Sequence, residues 1–154
     1  MKKFFKILGI VLLGIFLLIQ LIPKNYPENK PVDGNDILAY HEVPEDIGTI
    51  LKTSCYDCHS NQINYPWYSK IAPVSFLIRH DIEEGKSELN FSEWGTFEKK
   101  RMIKKLDELT EEVGEGKMPL PIYLITHGNA SLSEEQKEKL DIWAEGLMEQ
   151  ILGE

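Results

Sequence analysis

The run Cys55-Tyr56-Asp57-Cys58-His59 constrains this chain more than any other stretch. C-x-x-C-H is the attachment signature of a c-type haem. Two thiols at this spacing can form thioethers with the two vinyl groups on one porphyrin edge, and the adjacent imidazole can bind the iron as the proximal ligand. We therefore predict one covalent haem c, attached through Cys55 and Cys58, with His59 on the iron.

A C-x-x-C pair also occurs as a redox-active dithiol or as half of a zinc site. A zinc site needs a second pair of ligands at ligand spacing. The chain has only 2 cysteines, and its other histidines, His41, His80 and His127, are scattered. A thioredoxin-like dithiol belongs to a βαβ pattern, which this sequence lacks. Haem attachment is the favoured interpretation.

Residues 1–22 have the pattern of a membrane segment. Lys2, Lys3 and Lys6 precede the apolar run Ile7–Ile22, which only Gln20 interrupts. Counted from Phe4, a helix at ~1.5 Å per residue just reaches across the ~30 Å hydrocarbon core. A cleaved signal segment is the alternative, but no small-x-small cleavage site follows the run. We predict an uncleaved transmembrane helix in the inner membrane, with the rest of the chain on the periplasmic side.

The chain after this segment divides into a linker and one domain. Residues 23–41 contain Pro23, Pro27, Pro31 and Gly34 without helical or strand periodicity, which predicts a flexible linker. Residues 42–154 form the predicted haem-binding domain. The net charge of −8 makes nucleic acid a poor partner.

Apolar residues repeat at helical spacing in four segments of the domain. The first helix begins near Val43 and runs into Cys55, and the second runs from Pro73 to Glu84 and is closed by Gly85. A third helix ends near Val113, and a fourth follows the capping box Ser133-x-x-Gln136. We predict an all-α fold, a cytochrome c-like bundle of three to five helices around one haem, with the last helix packed on the first.

Three aromatic residues lie in the proline-rich loop that follows the motif. Tyr65, Trp67 and Tyr68 are candidates for the haem pocket, where they would pack on the porphyrin or bind its propionates; ordinary core packing is the alternative. A backbone carbonyl in this loop, at Pro66 or Pro73, is predicted to accept the Nδ1–H of His59.

Met118 is the predicted sixth ligand of the iron. It follows Gly114-Glu115-Gly116 on a loop that Pro119 and Pro121 stiffen, far from His59 in the sequence. A thioether opposite histidine binds haem iron and raises its reduction potential. His127 is the main alternative ligand, and His80 a weaker one.

Several blocks around the motif resemble the bacterial haem-binding domain family. They are Cys55-Tyr56-Asp57-Cys58-His59-Ser60-Asn61, Tyr65-Pro66-Trp67-Tyr68, Ile71-Ala72-Pro73-Val74 and Asn90-Phe91-Ser92-Glu93-Trp94. The resemblance covers about residues 40–150. It implies haem binding by a small membrane-anchored or secreted c-type cytochrome, of a kind common in Bacteroidetes-like bacteria.

Two function classes follow from one haem. If protein ligands fill both axial positions, we expect an electron carrier that is not an enzyme and that exchanges electrons with redox protein partners not identified by the sequence. If the sixth position is open or displaceable, we expect a haem-based enzyme or sensor, peroxidase-like or binding a small ligand. Met118 favours the carrier.

Overall fold

The computed structural model describes residues 1–153 and is helical, with no strand in that range. The α-helices are α1 (Lys2–Ile19), α2 (Ile37–Tyr40), α3 (Glu45–Ser54), α4 (Tyr56–His59), α5 (Val74–Glu88), α6 (Lys99–Gly114), α7 (Pro121–Leu124) and α8 (Glu134–Gly153). Short 3-10 segments occupy Trp67–Lys70, Phe91–Thr96 and Gly128–Ala130. The all-α prediction is confirmed. More helices follow α1 than the three to five predicted, because α2, α4 and α7 have only 4 residues each and are too short to show a periodicity.

The main helix pair of the core is α6 with α8. The predicted stripe on α6 is buried and meets the buried face of α8; the residues are Met102, Leu106, Leu109 and Val113 on α6 and Leu140, Ala144, Leu147 and Ile151 on α8. The last helix was expected to pack on the first domain helix. Helix α8 does contact α3, but it packs more extensively on α6. The predicted capping box forms, with Ser133 N donating to Gln136 Oε1 at 2.9 Å.

The motif occupies a short helix of its own. Helix α3 buries Ile47, Ile50 and Leu51 and ends at Ser54, and α4 begins two residues later at Tyr56. Helix α4 contacts α3, α5 and the Phe91–Thr96 segment. The motif is therefore enclosed by three elements.

Gly85 does not end the second helix of the domain, as the sequence predicted. Helix α5 continues through it to Glu88. A Cβ on Gly85 would lie 2.9 Å from the carbonyl oxygen of Cys58 and 3.2 Å from its Cβ. The missing side chain thus permits α5 to approach the motif closely.

The predicted transmembrane helix is wrong. Within residues 1–153, no helix combines the length and the apolar character needed to cross a membrane. Helix α1 stops at Ile19 and includes three lysines, so its lysine-free part begins at Ile7 and is only about 20 Å long at ~1.5 Å per residue, against a core of ~30 Å. The predicted single-pass location in the inner membrane depended on that helix and is wrong as well. The alternative of a signal segment stays a prediction.

Part of the predicted linker, residues 23–41, is held against the domain. Tyr26 donates its hydroxyl hydrogen bond to the carbonyls of Ser69 and Ser75, and the Asn29 side chain both donates to and accepts from the backbone of Ile63. Asp36 is 1% exposed. The segment from Tyr26 onward therefore contributes to the packing around the motif, while the boundaries at 22 and 41 stay a prediction.

Candidate functional site

The motif and Met118 meet at one cavity. A smaller cavity of about 210 Å³ is lined by Cys55, Cys58, His59 and Met118, among others. A larger cavity of about 350 Å³ lies beside it, lined mainly by apolar side chains of α5 and of the 120–127 segment. The two share the residues Asp57, Cys58, Asp81, Leu120 and Tyr123. They are adjoining parts of one cleft.

The imidazole of His59 is oriented by a backbone carbonyl. Its Nδ1 lies 3.0 Å from the carbonyl oxygen of Leu89, just past the end of α5. The predicted acceptors, Pro66 and Pro73, are therefore wrong. When Nδ1 carries the proton for this bond, Nε2 carries the lone pair that a metal needs. Burial lowers the pKa of His59, against the effect of the Leu89 bond, and so favours the neutral ring.

The segment after Leu89 packs against the motif. The ring of Phe91 stacks on Tyr56 at 5.4 Å with an interplanar angle of 13°, and its edge faces His59 at 6.3 Å. Asn90 donates to the side chain of Asn61 at 3.2 Å. The Asn-Phe-Ser-Glu-Trp block thus supports the residues before and after His59.

A buried carboxylate completes this support. Asp36 accepts hydrogen bonds from the Tyr56 hydroxyl at 2.7 Å, from the Ser92 hydroxyl at 3.0 Å and from the backbone N–H of Leu38 at 3.1 Å. Ser92 in turn accepts from the N–H of Asn61 at 3.0 Å. Asp36 comes from the predicted linker, where no periodicity or motif marked it.

Both motif cysteines are free thiols in the structure. Burial, with a smaller effect of Cys58, raises the pKa of Cys55 to about 12. Burial, followed by the carboxylates of Asp57 and Asp81, raises the pKa of Cys58 to about 12. At neutral pH both side chains are therefore protonated, and buried thiols of this kind are poor nucleophiles without activation.

The end of α6 places Met118 at the smaller cavity. Gly116 has a φ of +70°, a conformation that favours glycine, and the N–H of Met118 donates to the carbonyl of Glu112 at 3.0 Å. The chain is thereby folded back on the helix end. Met118 is partly buried against the core.

The three candidate aromatic residues have different positions. Tyr65 and Tyr68 line the larger cavity, but the Tyr65 hydroxyl is bound to the carbonyl of Pro27 at 2.7 Å. Trp67 is 77% exposed and, in the part of the chain described, is not among the residues that line either cavity.

The two alternative iron ligands lie apart from His59. His127 lines the larger cavity and is not among the described residues lining the smaller one. His80 is on the outer face of α5, with its Nε2 3.3 Å from the Glu84 carboxylate. Only Met118, of the three candidates, shares the smaller cavity with His59.

Tyr123 was not predicted as a site residue. It lines both cavities, and its hydroxyl donates to Asp57 Oδ2 at 2.8 Å. Burial, and then the bond to Asp57, raises the pKa of Tyr123. Its ring stacks on His127, four residues later, at 4.0 Å. The four-residue spacing of Tyr123 and His127 was the available signal, although α7 ends before His127.

These residues fit a haem. A neutral imidazole with a free Nε2, a thioether and two thiols surround one cavity, and an apolar cavity adjoins it, as a porphyrin requires. A family model described as haem-binding domain matches residues 14–146, most of the chain. The protein is thus a member of the haem-binding domain family, and haem is the cofactor that this membership supports. No curated protein and no solved structure matches the chain.

Proposed function

We propose that the protein is a c-type cytochrome that carries electrons. Cys55 and Cys58 would hold one haem covalently, and His59 and Met118 would bind its iron. The observation that carries this proposal is that these four residues line one cavity. The two thiols needed for the thioethers and the two candidate iron ligands are therefore all present there. Its partners would be redox proteins.

The chain's own residues have defined roles in this proposal. A bound haem supplies a one-electron redox centre. The Leu89 carbonyl holds the His59 ring with Nε2 available, and the apolar side chains of the larger cavity would exclude water from a bound porphyrin. The Met118 thioether would favour the reduced iron and so raise the potential.

The Met118→Ala variant tests the iron ligand. We expect it to abolish the near-infrared Met-to-iron charge-transfer band of the oxidised protein, to lower the reduction potential and to open the iron to carbon monoxide, because a thioether ligand is lost. Met148→Ala is the matched control, since Met148 is also partly buried but lies on α8. It should keep the band.

A wild-type protein without that band, together with an unchanged spectrum in Met118→Ala, would place the ligand elsewhere. His127→Ala would then be the variant to measure.

One observation favours the second candidate, a haem enzyme or sensor. The Tyr123 phenol, hydrogen-bonded to Asp57, lines the same cavity as Met118 and could assist a ligand bound after Met118 leaves the iron. Carbon monoxide added to the reduced wild type distinguishes the two. A carrier should not bind it at neutral pH, whereas prompt binding would favour the enzyme or sensor.

A further inference from the structure

We propose that the end of the larger cavity formed by Tyr68, Thr126 and His127 binds the haem propionates, with His127 as the partner of one carboxylate. This inference rests on the proposed haem attachment and concerns the opposite edge of the same group. It assigns His127 a role in binding the cofactor's carboxylates instead of its iron.

The charges around the larger cavity differ at its two ends. Asp57 and Asp81 line it where it adjoins the smaller cavity, beside Cys58. His127 is the only basic side chain among the described residues that line the larger cavity. Two propionates would be repelled from the aspartates and attracted to a protonated imidazole.

The shape of the porphyrin also favours the His127 end of the larger cavity as the place of the propionates. Its two propionates are on the side of the macrocycle opposite the two vinyl groups. Thioethers at Cys55 and Cys58 would fix the vinyl edge at the smaller cavity, which both thiols line. The propionates would then point into the larger cavity, away from the motif, where Thr126 and His127 lie.

The polar groups at this end are already held in place. The Tyr68 hydroxyl lies 2.7 Å from Thr126 Oγ1, which is 3.1 Å from His127 Nδ1. The same Nδ1 is 3.2 Å from the Tyr123 carbonyl, and the Tyr123 ring stacks on the imidazole with an interplanar angle of 11°.

With Nδ1 bound within its own segment, Nε2 of His127 is the nitrogen available to a ligand. Protonated, it can donate a charge-assisted hydrogen bond to a carboxylate, while whichever of the Tyr68 and Thr126 hydroxyls accepts in their mutual hydrogen bond can donate to the same group. Asp57 and Asp81 are the acidic groups that face this cavity, and both are shared with the motif end.

The experiment measures propionate ionisation directly. Haem labelled with carbon-13 at its propionate carboxyl carbons is incorporated during maturation, and the reduced protein is titrated by NMR. In His127→Gln, we expect the pKa of one propionate to rise by about one unit or more, because an adjacent cation lowers a carboxyl pKa by roughly that amount. Thr126→Val should shift the same propionate in the same direction by less.

His80→Gln is the matched control, because it removes an exposed histidine that lies on the outer face of α5, next to Asp81 in the sequence, and is not one of the described residues lining either cavity. It should leave both propionate pKa values unchanged, and all variants should keep the near-infrared band of the oxidised iron. Unchanged propionate pKa values in both His127→Gln and Thr126→Val would overturn the inference.

Loss of the near-infrared band in His127→Gln would also overturn it, since His127 would then determine the iron's ligands. A wild-type protein that retains no labelled haem on the polypeptide contradicts the proposed function itself, and that result differs from either of these.

Discussion

At the scale of single residues, the support of the motif depends on backbone and buried polar atoms. The sequence predicted that a carbonyl would hold His59, which is correct in kind, but it named the wrong residue. Every residue offers a carbonyl, so only the packing of the α5 end beside the motif selects Leu89. The ligand candidates, by contrast, could be named from the sequence because their side-chain chemistry is rare, and their roles stay a prediction.

Asp36 is a residue outside the candidate ligands whose substitution should be costly. Its carboxylate accepts three hydrogen bonds in a buried position. In Asp36→Asn, an amide N–H₂ replaces one accepting oxygen and faces a donor, so we expect the free energy of unfolding to fall by about 1–3 kcal/mol. Denaturant titration of the haem-loaded protein measures it.

Asp33→Asn is the control for this substitution. Asp33 is exposed and accepts one bond, from the N–H of Asn35 at 2.8 Å. Its unfolding free energy should change by no more than about 0.5 kcal/mol. Equal stability of the Asp36 and Asp33 variants would show that the buried network contributes nothing.

At the scale of elements, the long helices were predictable and the short ones were not. The stripes of α6 and α8 repeat over several turns, so the periodicity and the capping box identified both. Helix α4 has 4 residues and exists because its neighbours hold it. Gly85 was misassigned since a glycine near the end of an apolar stripe also suits a helix C-terminus, and only the contact with Cys58 distinguishes the two roles.

The packing of α5 on the motif is tested by Gly85→Ala. The added methyl group would contact Cys58 within 3.2 Å, so α5 or the motif must move, and overpacking of this kind costs about 1–3 kcal/mol. We also expect a lower yield of attached haem, because Cys58 is displaced. Thermal unfolding and the haem absorbance per chain are the measurements.

Gly146→Ala in α8 is the matched control, since Gly146 is helical and a Cβ added there would meet no neighbouring atom within 4 Å beyond its own helix. The substitution should stabilise the protein by about 0.5–1 kcal/mol through helix propensity. A Gly85→Ala protein that is stabilised as much as Gly146→Ala would mean that the close approach is not required.

At the scale of the whole molecule, the cleft is assembled from segments far apart in the chain. Residues 55–59, the end of α5 and the 118–127 segment meet there, and Tyr123 joins the last of these to Asp57. The motif and Met118 could be named from the sequence, but their common cavity depends on how α6 ends and on where α7 lies. The error at the N-terminus arose from counting apolar residues beyond the end of α1 at Ile19.

The central claim is that one haem is bound covalently through Cys55 and Cys58, and intact-mass measurement tests it most directly. The protein is expressed in a host that matures c-type haem and is denatured before the measurement. We expect the mass of the mature chain plus one haem, and no covalent haem in the double variant Cys55→Ala, Cys58→Ala. A wild-type mass equal to that of the bare polypeptide would contradict the account.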